Sequence, residues 1–308
     1  MRTKSRILVS VVITTYNRRE LLRKCLAALR VQTFPHDRFE IIVVDDGSTD
    51  GTEELMRDVV KRSGGWLRYF HQENSGLAAA RNLGISKTRG TIVAFLDDDC
   101  IPTRNWVYEI SRMYEDPRVA GTGGTIRAVP PKTLVSTYLA HIRLNETPGM
   151  SGEKVIFLIG GNASYRRDVL ALMKGFDELF VFNAGEDVDL GLRLTKQGFM
   201  LRYNPDAIVY HNHKQTLRGF LKTFYSYGKG TSLYMIRNGQ RGVLWTNPKV
   251  FVLFGFLKTP FMIWSYYRKG LGIRKSFTYP LLDYLRYFTL FMGKVVAYQR
   301  YKLLKPHG

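Results

Sequence analysis

Short apolar strands alternate with amphipathic helices over residues 8–127, and this alternation constrains the fold more than any other feature. The segments LVSVVIT, FEIIVVD and TIVAFL are short and mostly β-branched or aliphatic, as is typical of strands buried on both faces. The segments between them place apolar residues on one helical face. This order predicts right-handed βαβ units and an α/β fold whose central sheet is mostly parallel, with helices on both faces.

Length and composition limit the class of protein. With 308 residues, of which 45% are apolar, the chain can form one large α/β domain or one domain with an appendage. Its two cysteines, Cys25 and Cys100, cannot build a disulfide framework or a thiolate metal site, which suits a reducing compartment. The start MRTKSRILVSVVITTY is basic and then apolar, but no small-residue cleavage site follows, so it indicates a first strand rather than a signal peptide.

Polar residues follow three of the predicted strands, in TTYN, VVDDGS and FLDDD. In an open α/β sheet the carboxyl ends of the strands meet at one edge, where ligands bind. Asp97, Asp98 and Asp99 repel one another and raise each other's pKa unless a positive group lies beside them. Asp97 and Asp99 have the spacing to share a hard divalent cation, which takes one or two carboxylates together with substrate phosphates. We therefore expect a ligand site at this edge, with a solvated turn as the alternative.

Seven motifs in order resemble those of glycosyltransferase family 2. They are VVITTYNRRELL, IIVVDDGSTDGT, GLAAARNLGI, VAFLDDDC, GGNASYRRDVL, GFDE and EDVDLGLRL, and the resemblance runs from about residue 8 to about residue 230. The resemblance implies the Rossmann-like GT-A fold and an inverting enzyme that uses a nucleotide sugar, a UDP-sugar by preference, with Mn²⁺ or Mg²⁺. No P-loop and no full dinucleotide-binding motif compete with this interpretation.

The resemblance also implies a role for each matching residue. The nucleotide contacts the set Thr14, Tyr16, Asp46, Arg81 and Asp97; the metal is held by Asp97, Asp99 and His211; the donor and acceptor sugars lie against Gly161, Asn162 and Glu186; and Asp187 is the catalytic base. Asp98 departs from the pattern, because relatives often have a small residue there, which leaves open which two aspartates engage the metal. His213 stays as the alternative to His211.

The chemistry of inverting transfer is consistent with these roles. A carboxylate must deprotonate the acceptor hydroxyl opposite the leaving diphosphate, and a cation stabilises the charge that develops on that diphosphate. Asp187 is preferred to Glu186 as the base, although acids in the first turn of a helix can simply complement the helix dipole.

The last third of the chain is basic and carries +16 of the net charge of +20. Residues 250–267 and 277–298 are strongly apolar, and each approaches the length of a membrane span. On a helical projection Asp283, Arg286 and Lys294 fall within about an 80° arc, opposite a broad apolar face. Basic residues in the connecting loop oppose a transmembrane hairpin, so we expect both helices to lie in the interface of an anionic membrane. The hairpin remains the alternative, and no nucleic-acid-binding motif is present.

These observations predict a catalytic domain at 1–213, with a donor half at 8–127 and an acceptor and base half at 128–213, and a membrane-associating region at 214–308. The predicted function is sugar transfer to a hydroxyl acceptor of a lipid-linked or cell-envelope glycan, at the cytoplasmic face of the membrane and without a nucleic-acid partner. A sugar-phosphate nucleotidyltransferase and an inactive glycan-binding relative are the alternatives.

Overall fold

The computed structural model describes residues 7–144, 155–182, 184–239 and 248–304, and for residues 248–257 it describes the backbone alone. The elements follow in chain order: β1 (Val9–Thr15), α1 (Arg19–Arg30), β2 (Phe39–Asp45), α2 (Thr52–Arg62), β3 (Leu67–His71), α3 (Leu77–Lys87), β4 (Ile92–Leu96), β5 (Cys100–Pro102), α4 (Trp106–Arg112), a single 3-10 turn (Met113–Glu115), β6 (Val119–Ala128), α5 (Leu134–His141), β7 (Asn162–Arg166), α6 (Arg167–Leu172), α7 (Glu186–Lys196), β8 (Met200–His211), α8 (Leu217–Arg237), α9 (Pro248–Arg268) and α10 (Gly272–Tyr301). The predicted alternation of strands and helices over residues 8–127 is confirmed.

One mixed sheet of eight strands organises the described residues, in the order β3-β2-β1-β4-β7-β6-β8-β5. The first four strands pair in parallel. Strand β7 is antiparallel to both β4 and β6, while β8 runs parallel to β6 and antiparallel to β5. The second half of the sheet is therefore more mixed than the repeating βα pattern predicts, because β7 and β5 pair antiparallel with their neighbours.

Strand burial follows the sequence pattern. Every residue of β2 and β4 is buried, and β1 is buried except for Thr14, as expected of parallel strands covered on both faces. Helix α1 turns its buried Leu22, Cys25 and Leu29 toward one side of this sheet. Small residues of α3 approach the other side, where the Cβ of an alanine at Gly84 would collide with the side chain of Val12.

The chain divides into two compact units. The first contains the sheet and comprises residues 1–130, 143–181 and 186–213; the second comprises residues 131–142, 182–185 and 214–308. The second unit thus includes α5 and a short segment before α7, both of which the sequence analysis assigned to the 1–213 domain.

Helices α8 and α10 of the second unit approach each other closely at two glycines. A Cβ on Gly228 would collide with the carbonyl oxygen of Leu290, and one on Gly293 would collide with that of Tyr225. Helices α9 and α10 contain the two apolar segments identified in the sequence. Among the described residues, none of the helices combines the length and the sustained apolar character that a membrane span requires.

A buried carboxylate connects three helices of the second unit. Asp283 of α10 accepts hydrogen bonds from the hydroxyls of Tyr138 in α5 and Tyr266 in α9, the latter at 2.6 Å, and pairs with Arg286 at 3.0 Å. The helical projection groups Asp283 with Arg286 and Lys294 in one arc opposite an apolar face. In the structure the two tyrosine partners hold the Asp283 carboxylate in the interior.

Candidate functional site

The carboxyl ends of β1, β2 and β4 lie side by side in the first unit. The parallel register places Thr14 beside Val44 and Val12 beside Phe95. The backbone N–H of Asp46 donates to the carbonyl of Thr15 at 2.9 Å. The polar segments that follow these strands therefore meet at one edge, as the sequence predicts.

The residues expected to contact a nucleotide differ in the exposure of their side chains to solvent. Tyr16 is 47% exposed and Thr14 is half-buried. Asp46 is buried, and its carboxylate accepts hydrogen bonds from the Gln72 side chain and from the backbone N–H groups of Ser75 and Gly76, at 2.7 to 2.9 Å. In this structure Asp46 therefore orders the loop that leads into α3.

The three consecutive aspartates point to different partners. Asp98 turns inward, where the Thr15 hydroxyl donates to it at 2.8 Å and Arg18 Nη1 pairs with it at 2.8 Å. Arg18 Nη1 also lies 2.9 Å from Asp99 Oδ2. Burial raises the pKa of Asp98 to about 6, against the opposing effect of Arg18. Arg18 is the positive group that the sequence analysis required beside these acids.

Asp99 and His211 meet through strand pairing. Cys100 of β5 lies opposite His211 of β8, which brings His211 Nε2 to 3.3 Å from Asp99 Oδ1. On the other side of the ring, His211 Nδ1 lies 3.0 Å from His213 Nδ1. A metal-ligating histidine commonly bonds a further group through its second ring nitrogen, so His211 could act as a ligand with His213 as its support.

Carboxylate and imidazole together fit a divalent cation such as Mn²⁺. Within the described residues no group of three or more histidine, cysteine, aspartate or glutamate side chains is already arranged to hold a metal ion. Asp99 and His211 could supply two ligands, since a cation of this kind can take its remaining ligands from substrate phosphates and water.

Asp97 belongs to a second network, centred on Arg81. Its side chain is 36% exposed and accepts from Arg81 Nη2 at 3.2 Å, while Arg81 Nη1 donates to Glu186 Oε1 at 2.7 Å. The Arg81 guanidinium also lies near the rings of Phe95 and Phe176, with its Cζ 5.9 and 5.3 Å from their centroids. Arg81 is buried among these groups, and its guanidinium is shared between the two carboxylates.

The glycine pair at 160–161 lies between the two carboxylates Asp187 and Asp97. The backbone N–H of Gly160 donates to Asp187 Oδ2 at 3.0 Å. A Cβ on Gly161 would lie 2.7 Å from Asp97 Oδ2, and one on Gly160 would lie 2.6 Å from the Arg81 guanidinium nitrogens. Only glycines allow this backbone to pass so close to the Asp97–Arg81 pair.

Glu186 and Asp187 are adjacent but lie in different surroundings. Glu186 is buried against Arg81, and burial raises its pKa to about 7, with the charge of Asp187 adding to the effect. Asp187 is half-buried, and its second oxygen accepts the N–H of Val188 at 2.8 Å. Of the two carboxylates, Asp187 is the one that a substrate can approach.

The side chain of Asn162, which the sequence analysis placed near the sugars, makes its hydrogen bonds within the sheet and to α4. It is buried at the start of β7, where its amide donates to the carbonyls of Thr125 and Ala207 and accepts from Trp106 Nε1. These bonds join β7 to β6, β8 and α4. The glycines of the GGN motif lie beside the candidate site, whereas the asparagine supports the sheet beneath it.

Arg18 is a residue of the candidate site to which no sequence motif assigned a role. The available signal was the acidic triplet itself, since three adjacent carboxylates at a buried strand end require a nearby cation. The NRRE segment offers two arginines, and the structure pairs the first, Arg18, with Asp98 and Asp99, whereas the backbone N–H of Arg19 donates to Asp50.

Comparison with known protein families gives two matches. The family described as glycosyl transferase family 2 matches residues 10–172, and glycosyl transferase family group 2 matches residues 92–298.

Two curated relatives are similar over most of their length. The glycosyltransferase AglE of Haloferax volcanii is 32% identical over 224 residues, which cover 72% of each chain. A dolichyl N-acetyl-α-D-glucosaminyl phosphate 3-β-D-2,3-diacetamido-2,3-dideoxy-β-D-glucuronosyltransferase of Methanococcus voltae is 28% identical over 290 residues, 90% of this chain and 87% of that one.

Two solved structures share the fold. The mannosyltransferase PcManGT from Pyrobaculum calidifontis, in complex with GDP-Man and Mn²⁺, superposes with a TM-score of 0.59 at 20% identity over 98% of this chain and 77% of its own. GalNAc-T7 with UDP, GalNAc and Mn²⁺ superposes with a TM-score of 0.57 at 17% identity over 76% and 51% of the two chains. At this identity the likeness concerns the fold alone, and it confirms the expected GT-A architecture with a helical C-terminal region.

Proposed function

This chain belongs to glycosyltransferase family 2, and on that premise we propose that it transfers a sugar, with inversion, from a nucleoside-diphosphate sugar to a hydroxyl acceptor. The observation that carries the proposal is the position of Gly160 and Gly161 between Asp187 and Asp97. This arrangement brings a candidate base and a candidate donor-site carboxylate to the two ends of one short backbone segment.

Asp187 is the proposed base. Its carboxylate would take the proton of the acceptor hydroxyl as that oxygen bonds to the anomeric carbon and the bond to the leaving diphosphate breaks. Each Asp187 oxygen accepts one backbone N–H, from Gly160 or Val188, and keeps a further lone pair for the hydroxyl. The burial of Glu186 and its pairing with Arg81 support this choice over the neighbouring acid.

Asp99 and His211 are the proposed ligands of Mn²⁺ or Mg²⁺, with Asp97 at the rim of the same strand end. When bound, the cation would neutralise charge on the leaving diphosphate. Arg18 offsets part of the negative charge of the aspartates before a cation arrives. Thr14, Tyr16 and Asp46 remain the proposed nucleoside contacts, since they lie at the ends of the two adjacent strands.

We propose a UDP-sugar as donor and a lipid-linked or cell-envelope glycan as acceptor, with an anionic membrane surface as partner. The solved neighbours hold GDP-Man in one case and UDP in the other, so the nucleobase of the donor needs a direct test. The dolichyl phosphate substrate in the name of the Methanococcus relative supports a lipid-linked acceptor. Two free, buried cysteines suit a cytoplasmic face.

The test is a screen of the purified chain against UDP-sugars and GDP-sugars, with Mn²⁺ or Mg²⁺, in the presence and absence of polyprenyl-phosphate-linked sugar acceptors. We expect release of the nucleoside diphosphate from one donor and a product whose new linkage has the inverted anomeric configuration by NMR. Retained configuration would overturn the inverting mechanism. Formation of a nucleotide sugar from a nucleoside triphosphate and a sugar phosphate would indicate a nucleotidyltransferase, and binding without turnover an inactive relative.

A further inference from the structure

Helix α10 presents an apolar stripe on its exposed side. The stripe consists of Ile273, Phe277, Leu281, Phe288, Met292 and Val296, whose exposed fractions range from 40% to 68%. Their spacing of four and seven residues places them on one face of the helix. From the first to the last residue the stripe is about 35 Å long at 1.5 Å per residue.

The opposite face of α10 is buried and contains a carboxylate. Asp283 is buried and is held by Tyr138, Tyr266 and Arg286, while Tyr279 and Leu282 pack beside it. The helix thus buries a hydrogen-bonded carboxylate among apolar and small residues, while large apolar side chains lie on its exposed face, where an ordinary surface helix carries polar ones. Because α5 and α9 both bond Asp283, the stripe cannot turn inward without breaking these hydrogen bonds.

Aromatic and basic residues accompany the stripe. In α9, Phe261, Trp264 and Tyr267 are exposed by 52% to 65%, and the Arg268 guanidinium lies 5.1 Å from the Trp264 ring centroid. Among the side chains that the structure describes in both helices and their connection, the exposed basic residues are Lys258, Arg268, Lys269, Arg274 and Arg300. Tryptophan, tyrosine and arginine are enriched at the boundary between lipid and water, where a ring meets the acyl region and a cation meets a phosphate.

We propose that the stripe on α10 docks in the plane of an anionic lipid bilayer, with the basic residues around it on lipid phosphates. This deepens the proposed function, since such a surface is where a lipid-linked acceptor would be presented. An apolar stripe of this kind can be covered by a lipid bilayer or by a second copy of the chain, and the charge of the region favours the bilayer. Residues 214–308 carry +16, so a second copy of the chain would bring a like charge to the contact, whereas an anionic bilayer brings the opposite one.

The test compares two leucines of similar exposure in the full chain. Leu281 of the stripe is 59% exposed, and Leu172 of α6 in the first unit is 62% exposed. Binding is measured by co-sedimentation with phosphatidylcholine vesicles that contain or lack phosphatidylglycerol. We expect Leu281→Asp to weaken binding to the anionic vesicles at least ~10-fold, because each buried apolar side chain contributes separately. Leu172→Asp should bind like the unchanged chain, and added salt should weaken binding without abolishing it.

Three results would overturn the proposal. One is equal vesicle binding by Leu281→Asp and the unchanged chain. Another is a dimer, seen by analytical ultracentrifugation without lipid, that Leu281→Asp dissociates, since a second copy would then cover the stripe. The third concerns Lys269→Cys: a thiol reagent that cannot cross the bilayer should label this position on vesicle-bound protein, whereas protection inside sealed vesicles would indicate a spanning hairpin.

Lipid binding is separable from sugar transfer in these experiments. Leu281 lies outside the residues proposed for donor binding and catalysis, so donor hydrolysis without lipid should be the same for Leu281→Asp and the unchanged chain. Loss of vesicle binding with hydrolysis intact therefore concerns the docking surface alone. Vesicle binding by a chain that hydrolyses no nucleotide sugar would instead contradict the proposed function and leave the docking surface supported.

Discussion

Arg81 Nη1 lies 2.7 Å from Glu186 Oε1, and both side chains are only 3% exposed. The same guanidinium reaches Asp97 at 3.2 Å, so one buried cation connects the end of β4 to the first turn of α7. The helix that carries the proposed base is therefore positioned by a residue of α3. Through these two contacts Arg81 positions the proposed base relative to the proposed donor site.

Replacing Arg81 tests this alignment. Arg81→Lys keeps the charge, but a single ammonium cannot present the two separate N–H groups that reach Glu186 and Asp97. We expect a loss of about 3 kcal/mol in the free energy of unfolding, as for other broken buried ion pairs, measured by urea denaturation. Arg57→Lys is the control, because Arg57 pairs with Glu53 on the surface and should change stability by less than about 0.5 kcal/mol. Weaker nucleotide binding at unchanged stability would instead indicate that Arg81 contacts the donor.

Glu186 should make stability depend on pH. Burial raises its pKa from 4.5 to about 7, so the folded chain holds this proton more tightly than the unfolded chain does. The stability that the proton contributes is complete below pH 4.5 and is lost as the pH rises toward 7. Glu186→Gln removes this dependence, so its stability relative to the unchanged chain should rise by on the order of 2 kcal/mol from pH 4.5 to 8.

Urea denaturation of both proteins at several pH values measures this difference. Glu20→Gln is the control, because the Glu20 side chain is exposed and pairs with Arg23 on the surface. Curves of unfolding free energy that stay parallel for Glu186→Gln and the unchanged chain would contradict the raised pKa.

The proposed base is tested by Asp187→Asn. The amide is nearly the same size as the carboxylate, but it cannot accept a proton at neutral pH, so transfer should fall ~10²-fold or more. Donor affinity should be retained, because Asp187 acts on the acceptor. Asp168→Asn, at an exposed position in the first turn of α6, serves as the control. Near-normal transfer by Asp187→Asn would show that another residue is the base.

The proposed metal site is tested by Asp99→Asn. This variant keeps the shape of the buried side chain but removes the negative charge that a cation requires. Calorimetry should show at least a ~10-fold loss of the Mn²⁺-dependent part of UDP affinity, because even groups that only support a metal ligand contribute that much. Asp206→Asn is the control, since its carboxylate is exposed and pairs with Arg112. An unchanged Mn²⁺ dependence would exclude Asp99 as a ligand.

The contact between α8 and α10 is sensitive to a single methyl group. Gly228→Ala should lower the free energy of unfolding by about 1 to 3 kcal/mol, because the new Cβ meets the Leu290 carbonyl rather than a movable side chain. Gly219→Ala in the same helix should be close to neutral, since its Cβ lies 3.2 Å from the end of the Thr216 side chain. Thermal unfolding compares the two, and equal Tm values would contradict the close approach.

The βα alternation and the polar strand ends were predictable, because strand burial and the shared direction of parallel strands follow from local sequence. The side chains that pair with the aspartates at the strand ends could not be predicted. Nothing in the order of residues tells whether Arg18 or Arg19 reaches Asp98, since that depends on the turn after β1.

The orientation of α10 was predictable only in part. Helical periodicity placed Asp283 opposite an apolar face, but it cannot say which face is covered. Tyr138 and Tyr266, which come from two other helices, determine that Asp283 points inward. Asn162 is a similar case, because its three bonds are made to strands and a helix that the GGN motif does not contain.

The pairing of β5 with β8 has a consequence for the order of events during folding. Asp99 and His211 become neighbours only when the short strand Cys100–Pro102 docks on the end of β8, after residues 100–211 have all been synthesised. Contacts between residues so distant in sequence form late, because the chain must first close a long loop. Emerging chains that end before residue 211 should therefore lack one proposed metal ligand even if β1 to β4 are already paired. Tight Mn²⁺ binding would then appear only once the first unit is complete, so the time course of Mn²⁺ binding could be used to follow the folding of this unit.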